Sequence, residues 1–458
     1  MRRSRSHRAA AGRATPWGHR RVLGCSRVRG GHGLRHPPRT VAAVIDVIGV
    51  GAGGVPSLPA RLRARVEEAG VVLSSPRLLA TLAPFPDQRR LPWPRPLLAG
   101  LPALLADLDD DLARDDVVVL ATGDPLVSGI GTTLVRLLGP DAVRITPAVS
   151  SPALARARLG WAAETTLTHS LVSAPVETVR PLLTPGARLL LLAADEQTPA
   201  ALAELLVSDG WDEARVVVLG DLDSADESRW AGSAHEALAQ QTWPRLAVVA
   251  LELPRDHAAP LGPLGRAPGL PDAAFEHEGQ ITKREVRAAA LAALRPMPGQ
   301  HLWDLGAGSG SVALEWCRAA PRASASAVDR RADRLALVTA NAARLGTPRV
   351  TAVEGDSLAV LGELPAPDAV FVGGGASTAL LDAAWDALPV GGRVVAHAVT
   401  LETEAVLVEA CRRRGGELRR LSVERAEPLG RYLSWTPARP VVQWAAVVTD
   451  HPQRQERA

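Results

Sequence analysis

At 458 residues the chain is longer than a single hydrophobic core usually supports, so two or three domains are expected. A composition of 47% hydrophobic and 22% charged residues, with no run of 18 apolar residues, fits water-soluble domains and excludes a helical membrane span. The formal charge of +3 is uneven: residues 1–40 hold eleven Arg and no acid, so the remainder carries −8, which argues against a nucleic-acid-binding body.

Residues 1–43 lack the apolar core of a secretory signal and read as an Arg-rich, disordered extension, with a short tail expected at 451–458. Cys25, Cys317 and Cys411 show no paired spacing, which argues against a disulfide framework or zinc cluster and suits a reducing cytoplasm. From Val44 short apolar runs alternate with amphipathic stretches, the pattern of α/β domains. A strand at 44–50 leads through Gly49, Gly51, Gly53 and Gly54 into a helix at about 58–68, and a second strand at 117–120 runs into "ATGDPLVSGIG". Further strands are expected at 142–145, 188–193, 214–219 and 246–252, giving a first unit over 44–253. Five Pro within residues 254–274 mark a linker. A second unit over 275–450 opens with a helix in which Thr282 and Glu285 have capping-box spacing. Its strands are expected at 300–305, 324–329, 349–354, 367–372, 391–399, 417–426 and 440–449.

The stretch "HLWDLGAGSG" at 301–310 is a strand running into a turn of Gly306, Ala307, Gly308, Ser309 and Gly310 that opens a helix. Glycine lets the backbone approach a ligand, and helix N-terminal amides then face its electron-rich groups. Asp329, 19 residues after Gly310, ends the next strand, where a carboxylate can accept hydrogen bonds from a ribose diol. This geometry serves NAD or S-adenosylmethionine. One residue between the second and third glycines, where the dinucleotide form has two, favours the methyl donor.

"DLGAGSG", with "VEGDS" at 353–357, resembles the class I S-adenosylmethionine-dependent methyltransferases. Together with "GLPDAAFEHEGQITKREVRAAALAALRP", "FVGGGAS", "HAVTLETEAVL" and "ERAEPLGRYLSWTPARPV", residues 270–449 resemble the precorrin C-15 methyltransferase and decarboxylase family, CbiT. The first unit, through "VIGVGAGG", "ATGDPLVSGIG" and "TPAVSSPALARARLG", resembles the CbiE branch of the tetrapyrrole methylases. Ala52 and Gly54 stand where many tetrapyrrole methylases have proline and aspartate, a departure that agrees with the CbiE branch. The fusion resembles precorrin-6Y methyltransferases of the cobalamin pathway that act at C-5 and C-15 and decarboxylate.

The resemblance implies an α/β architecture: a tetrapyrrole-methylase fold of two α/β subdomains, then a Rossmann-like class I methyltransferase with a seven-stranded, mostly parallel sheet. It implies one S-adenosyl-L-methionine per domain, precorrin-6Y and other corrin intermediates as partners, and a cytoplasmic homo-oligomer without nucleic-acid or membrane partners. Donor contacts are expected at Thr282, Gly306 to Gly310, Asp329, Asp356 and Ser357 in the second unit, and at Gly51, Gly123, Asp124, Pro125, Ser150 and Ser151 in the first. Thr282 reads equally as a helix cap and Asp356 as a turn residue. Gly373 and Gly374 are expected to border the substrate pocket. Arg284, Arg287, Arg425, Arg431 and Arg439 are candidates for binding its carboxylates, although all but one of the 52 Lys+Arg residues are Arg, so arginine alone is a weak signal. His277, flanked by Glu276 and Glu278, is the candidate proton donor after decarboxylation. An RNA methyltransferase predicts a basic groove on the body, and a tetrapyrrole carrier predicts a broken donor turn; neither feature is visible.

Overall fold

A computed structural model describes residues 44–114, 116–257, 261–262 and 264–449. The Arg-rich N-terminal stretch, the C-terminal tail and residues 258–260 and 263 of the expected linker lie outside the described residues.

Strands β1 (Ile45–Val50), β2 (Val71–Ser74), β3 (Arg89–Pro92), β4 (Val117–Thr122) and β5 (Val143–Thr146) form a sheet in the order β3-β2-β4-β1-β5. All its pairings are parallel, and β1 and β4 are largely apolar and buried because helices cover both faces, the one acid, Asp46 of β1, being held by Arg65 and Arg144. The chain leaves β1 toward one edge and β4 toward the other. The reversal places the loops after β1 and β4 at a topological switch point, where open α/β sheets bind ligands. A second sheet holds β6 (Leu167–Ser170), β7 (Arg188–Leu192), β8 (Arg215–Gly220), β9 (Ser228–Ser233) and β10 (Ala247–Glu252) in the order β6-β7-β10-β8-β9. It is mixed, with β10 antiparallel to both β7 and β8.

The second half contains β11 (His301–Leu305), β12 (Ser324–Asp329), β13 (Val350–Glu354), β14 (Ala369–Val372), β15 (Arg393–Ala398), β16 (Glu417–Leu421), β17 (Glu424–Leu429), β18 (Tyr432–Pro437) and β19 (Val441–Val447). Seven of these make the sheet β13-β12-β11-β14-β15-β19-β16, parallel from β13 to β15 and antiparallel at β19. Its switch point falls between β11 and β14. The outer strand β16 carries Glu417, Arg419 and Arg420, charges that discourage edge-to-edge pairing. The expected strand at 417–426 is in fact two: β16 ends in the sheet, and β17 turns away to pair with β18 in a hairpin whose every residue is exposed.

The C-terminal part of the expected linker is docked rather than free. Leu270, Ala274 and Phe275 are buried in the second core, and the amides of Gly269 and Leu270 donate to the Glu315 carboxylate at 2.6 and 3.0 Å. Arg318, buried in the helix Ser311–Ala319, donates to the carbonyls of Leu264 and Leu345. These charges sit on a core helix and take their partners from an irregular segment, which fixes its path. The two halves meet where Arg180, held bidentate by Asp209, also donates to the Ala343 carbonyl at 2.9 Å.

Candidate functional sites

In the first half the switch point gathers three backbone segments. A Cβ at Gly49 would lie 2.3 Å from the Gly123 carbonyl oxygen and 2.5 Å from the Ala148 amide, so glycine is what lets β1, the Gly123 loop and the 147–151 segment meet. Gly123 has φ +61° and its amide donates to the Val50 carbonyl at 2.8 Å. Asp124 folds its own loop by accepting from the Leu126 amide at 2.9 Å, and the carbonyl of buried Pro125 accepts from Gly131 at 3.0 Å. Ser150 precedes the helix Ser151–Leu159 without capping it through its side chain, so its hydroxyl is not committed to that helix. Gly51 faces the Asp223 carboxylate, 3.7 Å from where a Cβ would sit. Gly123, Asp124, Pro125, Ser150 and Ser151 are thus brought together near Gly51. Asp221 and Asp223, non-glycine residues at φ +46° and +66°, escaped the sequence reading because their conformation has no compositional signal.

In the second half, β11 delivers the turn 306–310 at its C-terminal end. Gly306, Gly308 and Gly310 have φ of +73°, +57° and +76°, the left-handed region that glycine enters without strain. A Cβ at Gly306 would stand 2.9 Å from the Gly374 carbonyl oxygen, so the donor turn and the Gly373–Gly375 turn after β14 are in backbone contact. At Gly310 a Cβ would press on Val338, whereas at Gly308 it would meet nothing within 4 Å. Gly308 therefore borders open space. Its amide donates to Asp329 at 2.9 Å, and the Arg331 amide donates to the other oxygen at 3.1 Å, which holds the carboxylate at the end of β12.

Two polar atoms in this turn and the strand that leads into it have no partner among the described residues. Asp304 is 1% exposed; one oxygen accepts from the Ala313 amide at 3.0 Å and the other is buried and unbonded. Burial, with a smaller contribution from the Asp329 charge, pushes its carboxyl up to about 7. The Ser309 hydroxyl is likewise buried and unpaired. Unsatisfied groups beside an open glycine fit a polar ligand.

Other expected residues fall into distinct roles. Asp356 caps the short helix Ser357–Val360 through the amides of Leu358 and Ala359 and pairs with Arg330, which lowers its pKa. Ser357 opens that helix, two residues after Gly355, whose amide donates to the Asp329 carbonyl at 3.0 Å. The Thr282 cap is corrected: the helix runs Arg284–Leu294 with Lys283 at its N-cap, and the Thr282 carbonyl instead accepts from Arg287. Glu285 pairs with Arg425 at 2.6 Å, so the capping box does not form. The assignment of Arg287 to substrate is also corrected. It is 0% exposed, packed over Phe275 and bonded to Glu315, Asp272 and two carbonyls, a guanidinium consumed by the core. Arg284, Arg431 and Arg439 are exposed, and Arg431 stacks on Tyr432 of its own hairpin. His277 accepts from the Gly279 amide at Nδ1, 3.0 Å, leaving the proton on Nε2. Its flanking carboxylates turn to arginines, Glu276 to Arg344 and Glu278 to Arg331, and not to the imidazole.

Residues 44–238 match the family described as Tetrapyrrole (Corrin/Porphyrin) Methylases, and residues 273–448 match the Precorrin methyltransferase domain. Methyltransferase domains in both halves imply use of S-adenosylmethionine. A crystal structure of the C-terminal domain of precorrin-6Y C5,15-methyltransferase from Rhodobacter capsulatus is 48% identical, with a TM-score of 0.39, covering 40% of this chain and all of its own. The Mycobacterium tuberculosis H37Rv protein named precorrin-6Y C(5,15)-methyltransferase [decarboxylating] is 40% identical over 88% of this chain and 99% of its own length. The Sinorhizobium protein of the same name is 42% identical over 89% of this chain and 97% of its own. Both relatives run through the two glycine-lined sites in one continuous match, and the chain belongs to the precorrin-6Y C(5,15)-methyltransferase (decarboxylating) family.

Proposed function

We propose that the chain methylates precorrin-6Y at C-5 in its first half and at C-15 in its second, with loss of the C-12 acetate carboxyl, giving precorrin-8X. The observation that carries this reading is the presence of two separate glycine-lined switch-point sites, one per half, in a chain of this family. Each would hold its own S-adenosylmethionine. In the second half the fit rests on the open face of Gly308, the fixed Asp329 carboxylate and the unpaired Asp304 and Ser309 atoms. In the first it rests on Gly51, Gly123, Asp124, Pro125, Ser150 and Ser151.

When bound, S-adenosylmethionine supplies an electrophilic methyl group. The meso carbons of the reduced macrocycle are enamine-like, so the chain's residues mainly position and enclose the reactants. Gly373 and Gly374, exposed beside Gly306, border the substrate side. Arg284, Arg431 and Arg439 lie on the exposed surface of this half as carboxylate partners for a polyanionic ring, and Arg425 would join them only on exchanging Glu285 for the substrate. Decarboxylation leaves an electron pair that the conjugated ring accepts, and the remaining carbon then takes a proton, for which His277 is the donor as an imidazolium, protonated from solvent beforehand and neutral afterwards. Replacing His277 with Gln should slow decarboxylation by at least about a hundredfold, the low end for a lost general acid, while C-5 methylation is kept. A product carrying both methyls and no carboxyl at an unchanged rate would remove His277 from the mechanism.

The homo-oligomer is proposed on the hairpin β17–β18, where Leu429, Tyr432, Leu433 and Trp435 are 65%, 63%, 73% and 69% exposed. A two-stranded ribbon with open edges and apolar side chains suits pairing with a second copy. Incubation of the purified chain with precorrin-6Y and labelled donor tests the activity. Gain of two methyls with loss of carbon dioxide is expected; donor binding with no mass change in the tetrapyrrole would refute the reading.

A further inference from the structure

Asn341 lies in the helix Ala332–Arg344 and is 0% exposed. Its side-chain amide is nevertheless fully used. Oδ1 accepts from the Glu276 amide at 2.7 Å, while Nδ2 donates to the Glu276 carbonyl at 2.9 Å and to the Ser309 carbonyl at 3.2 Å. An asparagine amide imitates a peptide group, so it pairs both ways with the main chain of Glu276 as a neighbouring strand would. The third bond reaches the donor turn. Neither Glu276 nor Ser309 belongs to a helix or strand, so this amide is the direct tie between two irregular segments.

The segment that begins at Glu276 crosses beside Asp329. Glu278 pairs with Arg331 at 3.1 Å, the Gln280 side chain accepts from Arg334 at 2.9 Å, and Arg334 lies 3.8 Å from the Asp329 carboxylate. Ile281 then packs on the second core, and the Thr282 carbonyl is held by Arg287. Residues 276–282 are thus a strap pinned at both ends. Its middle is largely exposed, with Gly279 at φ +88°.

We propose that Asn341 is a positioning residue for the methyl donor of the second half: it locks the strap 276–282 to the turn 306–310 so that the two form one preorganised wall. This rests on the reading that the donor binds at Gly308 and Asp329. Preorganisation of this kind changes affinity by removing the ordering cost at binding, with no contact to the ligand. Asn341→Asp keeps the shape and the acceptor, but sets a carboxylate against the carbonyls of Glu276 and Ser309 and separates the segments.

The test uses the full chain and hydrogen exchange with and without S-adenosylmethionine, together with C-15 kinetics. In the wild type, the donor should slow exchange in 276–282 together with 306–310. In Asn341→Asp the strap should lose that protection, and the donor KM at C-15 should rise about tenfold or more with kcat within about threefold. C-5 methylation in the same molecule should be unchanged. Protection of 306–310 without 276–282 in the wild type, or a variant with wild-type donor KM, would overturn the proposal. If the variant fails to fold, shown by loss of protection across β11 and β12, the wild-type exchange pattern decides alone. No donor protection anywhere in the second half would overturn the donor site itself, and the proposal with it.

Discussion

Gly308 and Gly306 show how one turn divides its glycines between folding and ligand. A side chain at Gly306 strikes the Gly374 carbonyl, so its glycine is required by the protein; at Gly308 only open space would be filled. Gly308→Val should therefore cost about 1–2 kcal/mol, the strain of a side chain in the left-handed region, and fold. Its C-15 methylation should nonetheless fall by at least tenfold, about 1.4 kcal/mol of lost binding. Unaltered C-15 kinetics with the same stability loss would show that the space beside Gly308 holds no donor. Asp329→Ala complements it, because that carboxylate fixes the Gly308 amide at 2.9 Å and serves no site in the first half. C-15 methylation should be abolished and C-5 methylation should persist; equal loss at both positions, measured by mass on the same product mixture, would refute independent donor sites.

The strap, the helix Arg284–Leu294 and the helix Ser311–Ala319 are joined by a buried ion pair: Arg287 donates to Glu315 at 2.6 Å, with side chains 0% and 1% exposed. Removing Glu315 leaves the buried Arg287 with Asp272, at 3.1 Å, as its remaining carboxylate, and breaking such a buried pair costs up to about 3–5 kcal/mol. Glu315→Gln should lower the unfolding free energy of the second half by that amount, read as a lower urea midpoint, and loosen the 264–275 segment, whose Gly269 and Leu270 amides use the same carboxylate. An unchanged midpoint would show that the pair contributes no net stability. Such a role was not legible in the sequence, where Arg287 looks like any of the other arginines. The elements that were legible have their own signal: β4 and β14 are apolar runs, β15 holds one at its centre, β1, β11 and β12 are mostly apolar or small with a single acid each, and the glycine turns of the two sites follow β1, β4, β11 and β14. Strands β3, β6 and β9 were missed because they lie at sheet edges and show partly exposed, polar sequences without alternation; β2 is apolar but only four residues long. The turn at 306–310 and Asp329 could be read because the motif is local. Asn341 could not, since its meaning comes from partners 65 and 32 residues away.

Across the whole molecule, burial pulls titrations in opposite directions over one pH range. His397 is buried against Phe371 and bonded to Gln443 at 2.9 Å, and burial pushes it down to about 4; His169 and His301 are lowered by burial as well. For these groups the unfolded chain binds more protons below pH 6.5, so stability falls as the pH drops from 6.5 toward 4. Asp304, raised to about 7, has the opposite sign. The folded chain holds its proton where the unfolded chain has lost it, so its contribution is complete below about pH 4 and disappears as the pH rises through 7. Surface acids such as Glu227, drawn down to about 2 by Arg158, titrate below this window. The wild type should therefore show a flattened stability profile between pH 4 and 6.5, then a decline toward pH 7.5 as Asp304 ionises alone. Asp304→Asn keeps an acceptor for the Ala313 amide and removes that titration. Its stability should climb with pH up to 6.5 more steeply than the wild type, by up to about 1.4 kcal/mol per pH unit for the one proton involved, and level off above. Urea unfolding of the full chain at half-unit pH intervals, read by exchange of the β11 and β15 amides, measures both slopes. Parallel profiles for the two proteins would show that Asp304 ionises at its ordinary value in the folded chain, and that its unpaired oxygen is solvated or bonded when the turn is at work.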